Sequence, residues 1–386
     1  MLASGFGEGQ QPPSLEAMYA ARLDRVRSAM ADQGVDVLLV SVGADLPYLI
    51  GYEAMPLPRL TMLVLPREAA ATLVIPRLEV ARVIERPDCF SIRGWEETED
   101  PIAVVAQLCG APDVAAIGDQ TWARHLVDLM GHLPAAAWRR SVELVGPLRA
   151  RKDPAEIAAL QAAAAAADRV AVQLQAGEIP LIGRSEAQVS EDISRRLLAE
   201  GHAHVNFAIV AAGENASSPH HHASERIIRP GEVVLCDFGG ALSMVDGEPG
   251  YCSDMTRMIY TGEPPAAFRE LYDVLFQAQA TGVAAATVGT AAQDVDRATR
   301  RVIAEAGYGE QFIHRTGHGI GLFEHEDPYI VEGNATVLEV GHAFSIEPGI
   351  YVQGRWGARL EDIVIATVDG PQALNHADHS LVVVEA

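Results

Sequence analysis

Four acidic side chains interrupt apolar, β-branched segments in the second half of the chain, where an unpaired carboxylate is costly to bury. Asp237 follows the run VVLC, Asp254 lies in the next such run, Glu347 follows FSI and Glu361 precedes DIVI. If these carboxylates meet in space, their mutual repulsion raises their pKa values unless cations hold them ionised. Taken singly, each acid is equally compatible with an edge strand or turn that faces water, so the metal hypothesis depends on the whole set.

A histidine between glycines supplies a fifth candidate ligand. His318 stands in the segment GHGIG at 317–321. Such a segment is also compatible with an ordinary turn or a phosphate loop, but the glycines favour a ligand on a closely approaching backbone. One imidazole with four carboxylates is an oxygen-rich set, which suits Mn²⁺, Co²⁺ or Fe²⁺ better than a closed thiolate zinc site does. We therefore expect two divalent cations, manganese before cobalt, iron or zinc.

The charge balance excludes other kinds of site. The chain has 29 basic and 52 acidic residues and a net charge of −23, which repels nucleic acid in the absence of a basic patch. Lys152 is the only lysine, and Asp153 follows it where a P-loop requires Ser or Thr. Its charged neighbourhood predicts a solvated surface lysine without a catalytic role.

Cysteine usage and the N-terminal composition predict the compartment. The four cysteines, Cys89, Cys109, Cys236 and Cys252, show no CxxC spacing, which is typical of a reduced intracellular protein. The first 13 residues are rich in Gly, Gln and Pro and lack the apolar segment of a signal peptide. No run of about 18 apolar residues predicts a membrane span. We expect a cytoplasmic protein without membrane contact.

The elements that must position the candidate ligands fall into two segments. A chain of 386 residues exceeds the ~250 to 300 residues at which single cores stop growing, so we expect one large and one smaller domain. Asp153 followed by Pro154 is a helix N-terminal signal, which places the boundary there and gives domains 1–150 and 151–386. In the first, a helix over 17–31 and apolar strands at 35–41, 60–65 and 71–75 indicate an α/β unit.

In the second segment, long helices and groups of strands occupy separate stretches of the chain. Its composition predicts helices at Pro154–Gln175, Ser185–Glu200, Pro265–Ala286 and Ala291–Ala306. β-branched runs follow Gly231, and strands return from Ala343 to the C-terminus. Segregated helices and strands of this kind are typical of an α+β fold.

Six motifs that contain the candidate ligands occur in order between residues 217 and 363. They are SPHH (218–221), CDFG (236–239), GYCSDMTR (250–257), HRTGHGIGL (314–322), SIEPGIY (345–351) and RLEDI (359–363). Together they resemble the pita-bread metallopeptidases, in the aminopeptidase P and prolidase branch. The preceding segment resembles the creatinase-type N-terminal domain of that branch. The resemblance implies an α+β protein, with a pita-bread catalytic domain at 151–386 behind a smaller α/β creatinase-like domain at 1–150.

The resemblance also implies a role for each ligand. Asp254 and Glu361 bridge the two metals, Asp237 completes one site, and His318 with Glu347 completes the other. Water activated by the cations attacks the carbonyl before proline, while Glu347 accepts and transfers the proton.

Four further residues match positions of interest in similar enzymes. The resemblance implies that His220 and His325 contact the substrate and stabilise the tetrahedral intermediate, although an ordinary loop position is the alternative for both. His314 lies just before the ligand loop and is a candidate substrate contact. Arg359 shares a strand face with Glu361, so neutralising a carboxylate and contacting substrate are both open roles.

Two departures from the family pattern concern the hairpin and the substrate site. Asp237 and Asp254 are 17 positions apart, a longer hairpin than is usual in the family, so we expect extra turn residues around 243–249. Tyr329 stands after HEDP, where well-known prolidases carry an arginine thought to grip the dipeptide carboxylate. Arg59, contributed by a partner subunit, is a hypothetical replacement.

The implied activity is hydrolysis of the bond before proline, first as a Xaa-Pro dipeptidase and alternatively as a Xaa-Pro aminopeptidase on longer peptides. A methionine aminopeptidase uses the same five ligands but does not need an N-terminal domain of about 150 residues. A metal-free creatinase-like hydrolase or peptide-binding scaffold is expected to lack ligands, and all five are present here. The expected partners are a proline-containing di- or oligopeptide and a second copy of the chain, because dimers are common among similar enzymes.

Overall fold

The computed structural model describes residues 14–385 and divides them into two compact units between Arg149 and Ala150. The Gly-, Gln- and Pro-rich segment 1–13, from which no signal peptide was predicted, lies outside the described residues.

The first unit is built on a mixed β-sheet with helices. Its strands are β1 (Val37–Val40), β2 (Met62–Pro66), β3 (Ala71–Pro76), β4 (Phe90–Trp95), β5 (Val114–Ile117) and β6 (Ala137–Arg140). Its helices are α1 (Leu15–Gln33), α2 (Asp45–Ile50), α3 (Pro101–Cys109), α4 (Ala123–His132) and α5 (Val142–Ala150), with a 3₁₀ helix at Arg77–Arg82. The strand order is β4-β3-β2-β1-β5-β6. The predicted first helix and the three predicted strands are confirmed, and each end lies within two residues of its predicted position.

The core of this unit lies between the sheet and its helices. Leu39, Met62 and Val64 of the central strands pack with Trp95 and with Val105 of α3. β1 pairs antiparallel with β2 and parallel with β5, so the sheet is mixed.

The second unit contains most of the strands. They are β7 (His204–Ala212), β8 (Val233–Leu242), β9 (Tyr251–Cys252), β10 (Met255–Thr261), β11 (Gly317–Gly319), β12 (Glu326–Ile330), β13 (Ala343–Ile346), β14 (Gly349–Val352), β15 (Trp356–Arg359), β16 (Asp362–Thr367), β17 (Gly370–Ala373) and β18 (Val382–Val384). The helices are α6 (Pro154–Gln175), α7 (Glu186–Ala199), α8 (Ala266–Ala285) and α9 (Ala292–Glu305), with 3₁₀ helices at Gly213–Ser217 and Gly309–Gln311.

Two larger sheets and a hairpin organise these strands. One sheet has the order β18-β10-β8-β7, with β9 also pairing with β8, and the other has the order β12-β11-β13-β16-β17. β14 and β15 form the hairpin. Residues of α6 and α7 pack on the first sheet, and residues of α9 pack on the second. The predicted α+β architecture is confirmed.

The four helices predicted in this unit are confirmed to within one residue at each end. α6 begins as its sequence indicates, because Asp153 accepts hydrogen bonds from the backbone N–H groups of Ala155 and Glu156. By length and composition α6 could cross a membrane, but Leu160 and Val170 are fully buried in the protein core.

Strand β7 was not predicted. It pairs with β8 along most of its length, and the register shifts between Val205 and Phe207. Such a shift breaks the alternation of side chains by which strands are recognised in a sequence.

Candidate metal centre

All five candidate ligands line one cavity of about 620 Å³ in the second unit. Asp237 lies in β8 opposite Thr256 of β10, and Asp254 immediately precedes β10. Glu361 reaches the same strand, because its backbone N–H lies 3.4 Å from the Thr256 carbonyl and its carboxylate accepts a 2.7 Å hydrogen bond from the Thr256 hydroxyl. Asp237, Asp254 and Glu361 are therefore placed by the pairing of β8 and β10 and by the contacts of Thr256.

His318 occupies the middle of β11, between two glycines that the structure requires. A Cβ atom on Gly317 would lie 1.9 Å from the Ser345 carbonyl oxygen, and one on Gly319 would lie 2.3 Å from the Asp327 carbonyl oxygen. No larger residue fits there without displacing a neighbouring strand. The His318 backbone N–H donates to the Ser345 hydroxyl at 3.0 Å, which fixes the ligand strand against β13.

The imidazole of His318 faces three of the acids. Its Nε2 lies 3.2 Å from Glu347 Oε1 and 3.6 Å from Asp254 Oδ2. One ligand atom from each of Asp254, His318 and Glu361 lies within 4.8 Å of the others. Nδ1 of His318 lies 3.1 Å from the Gly319 carbonyl, which can only accept, so Nδ1 carries a proton. Nε2 therefore faces the acids, as a donor when the ring is protonated and as a metal ligand when it is neutral.

Arg359 is buried behind the ligands. Its Nη2 donates to Asp237 Oδ2 at 2.5 Å and its Nε donates to the Thr256 hydroxyl at 3.0 Å. Its Nη1 donates to the Tyr351 hydroxyl at 2.8 Å and to the Pro219 carbonyl at 3.2 Å. Burial still raises the pKa of Asp237 above its ordinary value, although the Arg359 charge opposes the shift.

The carboxylates carry opposing pKa shifts. Burial raises the pKa of Asp254 well above its ordinary value, and repulsion from Asp237 adds to the shift. Burial and repulsion from Asp254 raise the pKa of Glu361 in the same way. At Glu347 burial also disfavours the charge, but the hydrogen bond and charge of His318 outweigh it and hold the pKa at about 2. The cluster thus has more negative charge than its own cationic neighbours can balance.

Divalent cations fit this donor set. Asp237 Oδ1 is buried without a hydrogen-bond donor among the described residues, and a cation would satisfy that atom. A cation would also offset the repulsion that raises the pKa values of Asp254 and Glu361. Four carboxylates and one imidazole form an oxygen-rich donor set of the kind that binds divalent cations.

The three further histidines all line the cavity. The His325 ring lies against His318 with centroids 4.1 Å apart and the ring planes tilted by 46°. Partial burial lowers the pKa of His325 to about 4, so it is neutral at neutral pH. Both ring nitrogens of His314 have partners within the protein, the Arg315 carbonyl at 2.7 Å and the Tyr351 hydroxyl at 3.0 Å. His220 is exposed at the cavity wall.

Several cavity residues were not identified from the sequence. They are Asn206, Phe207, Ile209, Pro219, Arg315 and Glu324. Arg315 lies in the motif HRTGHGIGL next to His314, and this position could have identified it as a cavity residue. The residues of β7 offered none, because that strand was not predicted.

The two departures from the family pattern have clear positions in the fold. The extra hairpin residues form the turn at 243–250 between β8 and β9. Tyr329 lies under the guanidinium of Arg315, whose Cζ is 4.5 Å from the ring centroid. In the first unit, Arg59 forms an exposed ion pair with Glu97 at 2.7 Å.

The predicted surface position of Lys152 is wrong. Its side chain is 1 % exposed and its Nζ lies 3.1 Å from Glu326 Oε2, whose side chain is 4 % exposed. The charged neighbours in sequence concealed this position, because the acid that neutralises Lys152 is 174 residues away in the chain. Glu326 directly follows His325, so this ion pair anchors the cavity loop.

Comparison with known proteins identifies similar chains over nearly the whole length. The model of metallopeptidase family M24 matches residues 157–368, and that of the creatinase/prolidase N-terminal domain matches residues 22–150. The probable dipeptidase PepE of Mycobacterium tuberculosis is 45% identical over 95% of this chain and 97% of its own. The Xaa-Pro dipeptidase of Lactobacillus helveticus is 35% identical over 94% and 98%, respectively. The crystal structure of dipeptidase PepE from Mycobacterium ulcerans is 42% identical, with a TM-score of 0.90 over 97% of this chain and 100% of that one.

Proposed function

Because the chain belongs to metallopeptidase family M24, we propose that it hydrolyses the peptide bond before proline and acts as a Xaa-Pro dipeptidase. The observation that carries this proposal is the meeting of three buried carboxylates, the partly buried Glu347 and His318 in one cavity. The named activities of similar proteins, a dipeptidase and a Xaa-Pro dipeptidase, support the substrate assignment.

We assign the five ligands to two divalent cations. Asp254 and Glu361 would help to hold both cations, Asp237 would contribute to one of them, and His318 with Glu347 would contribute to the other. When bound, the cations lower the pKa of water and polarise the scissile carbonyl. Manganese is the proposed metal, because hard oxygen ligands dominate the set.

The chain's own residues then move the proton and hold the substrate. Glu347 accepts a proton from the attacking water and delivers it to the prolyl nitrogen as the C–N bond breaks. His325 and His220 each donate an N–H to the oxygen that becomes negative in the transition state. His314 lines the substrate cavity and holds its wall through Tyr351. All three nitrogens of Arg359 donate within the protein, which favours positioning Asp237 over direct substrate contact.

A free carboxylate beside proline is the feature that separates a dipeptide from a longer substrate. Arg315 lines the cavity, and among residues 14–385 no carboxylate lies within ion-pair distance of it. In a chain with 52 acidic residues, an arginine left without an acid at a substrate cavity favours an anionic ligand group. This supports the dipeptidase assignment over the aminopeptidase alternative.

Parallel assays test the proposal. Manganese-loaded protein is incubated with Ala-Pro, Ala-Ala and the tripeptide Ala-Pro-Ala, and the released amino acids are quantified. We expect Ala-Pro to be cleaved fastest and Asp254→Asn to abolish cleavage, while Asp369→Asn, an exposed acid in a turn, retains it. Faster cleavage of Ala-Pro-Ala would support an aminopeptidase, and equal cleavage of Ala-Ala would exclude proline selectivity.

We further propose that the protein is a cytoplasmic homodimer. The four cysteines are all free thiols, as suits a reducing compartment. Fractionation of cells and light scattering of the purified protein test the two parts separately. A secreted or monomeric protein would contradict the respective part.

A further inference from the structure

Asn206 enters the cavity from an irregularity in β7. Val205 pairs with Gly240 and Phe207 pairs with Gly239, so Asn206 is the extra residue of a β-bulge. Gly239, which pairs with Phe207, has no room for a side chain, because a Cβ atom there would lie 2.1 Å from the Ser253 carbonyl oxygen and 3.0 Å from Cζ of Phe207. Bulges next to active sites redirect side chains, and this one places Asn206 at the cavity wall.

The side-chain amide of Asn206 is only partly satisfied. Its Nδ2 lies 3.8 Å from the Cys252 sulfur, a weak acceptor. Its Oδ1 is buried and has no hydrogen-bond donor in the described part of the chain. Buried acceptors are rarely left in this state in folded proteins, and an exception beside a substrate cavity indicates a donor that arrives with the ligand.

The proposed substrate has one backbone donor that can fill this role. Proline lacks an N–H, so the scissile bond of a Xaa-Pro dipeptide offers no donor, and the free amino group is the only backbone N–H source. The same cavity is also lined by Glu324, whose carboxylate forms no ion pair with any residue in 14–385 and attracts a positive charge.

We propose that Asn206 Oδ1 accepts a hydrogen bond from the free amino group of the substrate and thereby selects peptides with an unblocked N-terminus. This inference rests on the proposed peptidase function. Asn206 is a substrate-binding residue in this scheme and takes no part in the proton transfer.

The test compares Ala-Pro with propionyl-Pro, which has the same shape without the amino group. Asn206→Leu removes the acceptor at similar size, and Asn206→Asp keeps it. We expect Asn206→Leu to lower kcat/KM for Ala-Pro about 10- to 100-fold, mainly through KM, and to leave propionyl-Pro within about twofold. Asn206→Asp should keep the preference for Ala-Pro. Metal content, measured on each variant, should stay unchanged.

Two results would overturn the inference. One is an unchanged preference for Ala-Pro over propionyl-Pro in Asn206→Leu, whether or not both peptides are cleaved more slowly. The other is loss of the preference in Asn206→Asp, which would mean that Nδ2 donates to the substrate. A structural role for Asn206 is distinguished by thermal unfolding, because removing an unsatisfied acceptor should not lower Tm.

Failure of the proposed function would be visible separately. If the wild-type enzyme does not cleave Ala-Pro, the dissociation constants of its ketomethylene isostere and of the des-amino counterpart are measured by calorimetry. Wild-type protein should bind the amino form at least about tenfold more tightly, and Asn206→Leu should bind both alike. Equal binding of the two ligands by wild-type protein would overturn the role of Asn206 whatever the activity.

Discussion

At the scale of single residues, the cavity contains two arginines, and only one of them is paired with an acid among the described residues. Arg359 is fully engaged with Asp237 and its neighbours, whereas Arg315 rests on the Tyr329 ring without an acid partner among the described residues. A guanidinium held over an aromatic ring keeps its edge free for a carboxylate. The two arginines of one cavity thus have different tasks.

The first prediction concerns Arg315. Arg315→Gln should raise KM for Ala-Pro roughly tenfold or more, because a charge-assisted hydrogen bond contributes about 1.5–3 kcal/mol. Its KM for Ala-Pro amide, which lacks the carboxylate charge, should change little. Steady-state kinetics on both substrates measure the difference.

Two controls accompany this variant. Arg315→Lys retains the charge and should lose less affinity for Ala-Pro than Arg315→Gln does. Arg297→Gln removes an exposed arginine outside the cavity and should leave both KM values unchanged. Equal losses on dipeptide and amide would show that Arg315 does not recognise the carboxylate.

The role of a residue could be predicted from the sequence where it depends on neighbours in the chain, and not where it depends on a remote residue. Asp237, Asp254, His318, Glu347 and Glu361 could be proposed as ligands because each lies in a short motif whose neighbours constrain it. The burial of Lys152 could not be predicted, because it depends on Glu326, which is remote in the chain.

At the scale of secondary-structure elements, the site depends on how closely the strands approach. β11 can hold His318 against β13 only because Gly317 has no side chain to collide with Ser345. Strand β7 shows where pattern recognition fails: its bulge at Asn206 interrupts the alternation that marks a strand, and the same bulge directs a side chain into the cavity.

The second prediction concerns Gly317. Gly317→Ala should weaken manganese binding at least about tenfold and lower Tm, because the new methyl group forces β11 away from β13. Metal titration and thermal unfolding measure the two effects. Gly131→Ala is the control: its Cβ meets open space within α4, so it should be neutral or slightly stabilising. A Gly317→Ala protein with unaltered metal affinity would contradict the requirement for close approach.

The third prediction concerns the buried ion pair that joins the start of α6 to β12. Lys152→Met should destabilise the protein by about 3–5 kcal/mol, because it leaves Glu326 charged and buried without its cation. Chemical denaturation measures this change. Lys152→Met combined with Glu326→Gln should recover part of the loss, since the second change removes the uncompensated charge. Strictly additive losses would show that the two side chains are not energetically coupled.

At the scale of the whole molecule, the raised pKa values of buried acids link metal binding to pH. In the metal-free protein Asp254 and Glu361 have pKa values well above those of an unfolded chain, because they are buried and repel other acids. An acid whose pKa is raised by folding stabilises the folded state when it is protonated, and this contribution is lost as pH rises through the folded pKa. The metal-free protein is therefore penalised at high pH, and cations remove that penalty by replacing the protons.

The fourth prediction follows from this sign. The increase in Tm caused by Mn²⁺ should be larger at about pH 8 than at about pH 6, since fewer protons compete for the ligand oxygens at the higher pH.

Titration calorimetry in buffers of different ionisation enthalpy should show proton release on metal binding, with less release in Asp254→Asn. Asp369→Asn is the matched control, because that acid is exposed in a turn and should leave the release unchanged. A Tm increase that is the same at both pH values, without proton release, would mean that the cations do not bind at the protonated acids. The net charge of −23 also makes stability depend on pH. That general effect cancels in this comparison, because the metal-free and metal-loaded proteins share every titrating group other than the ligands.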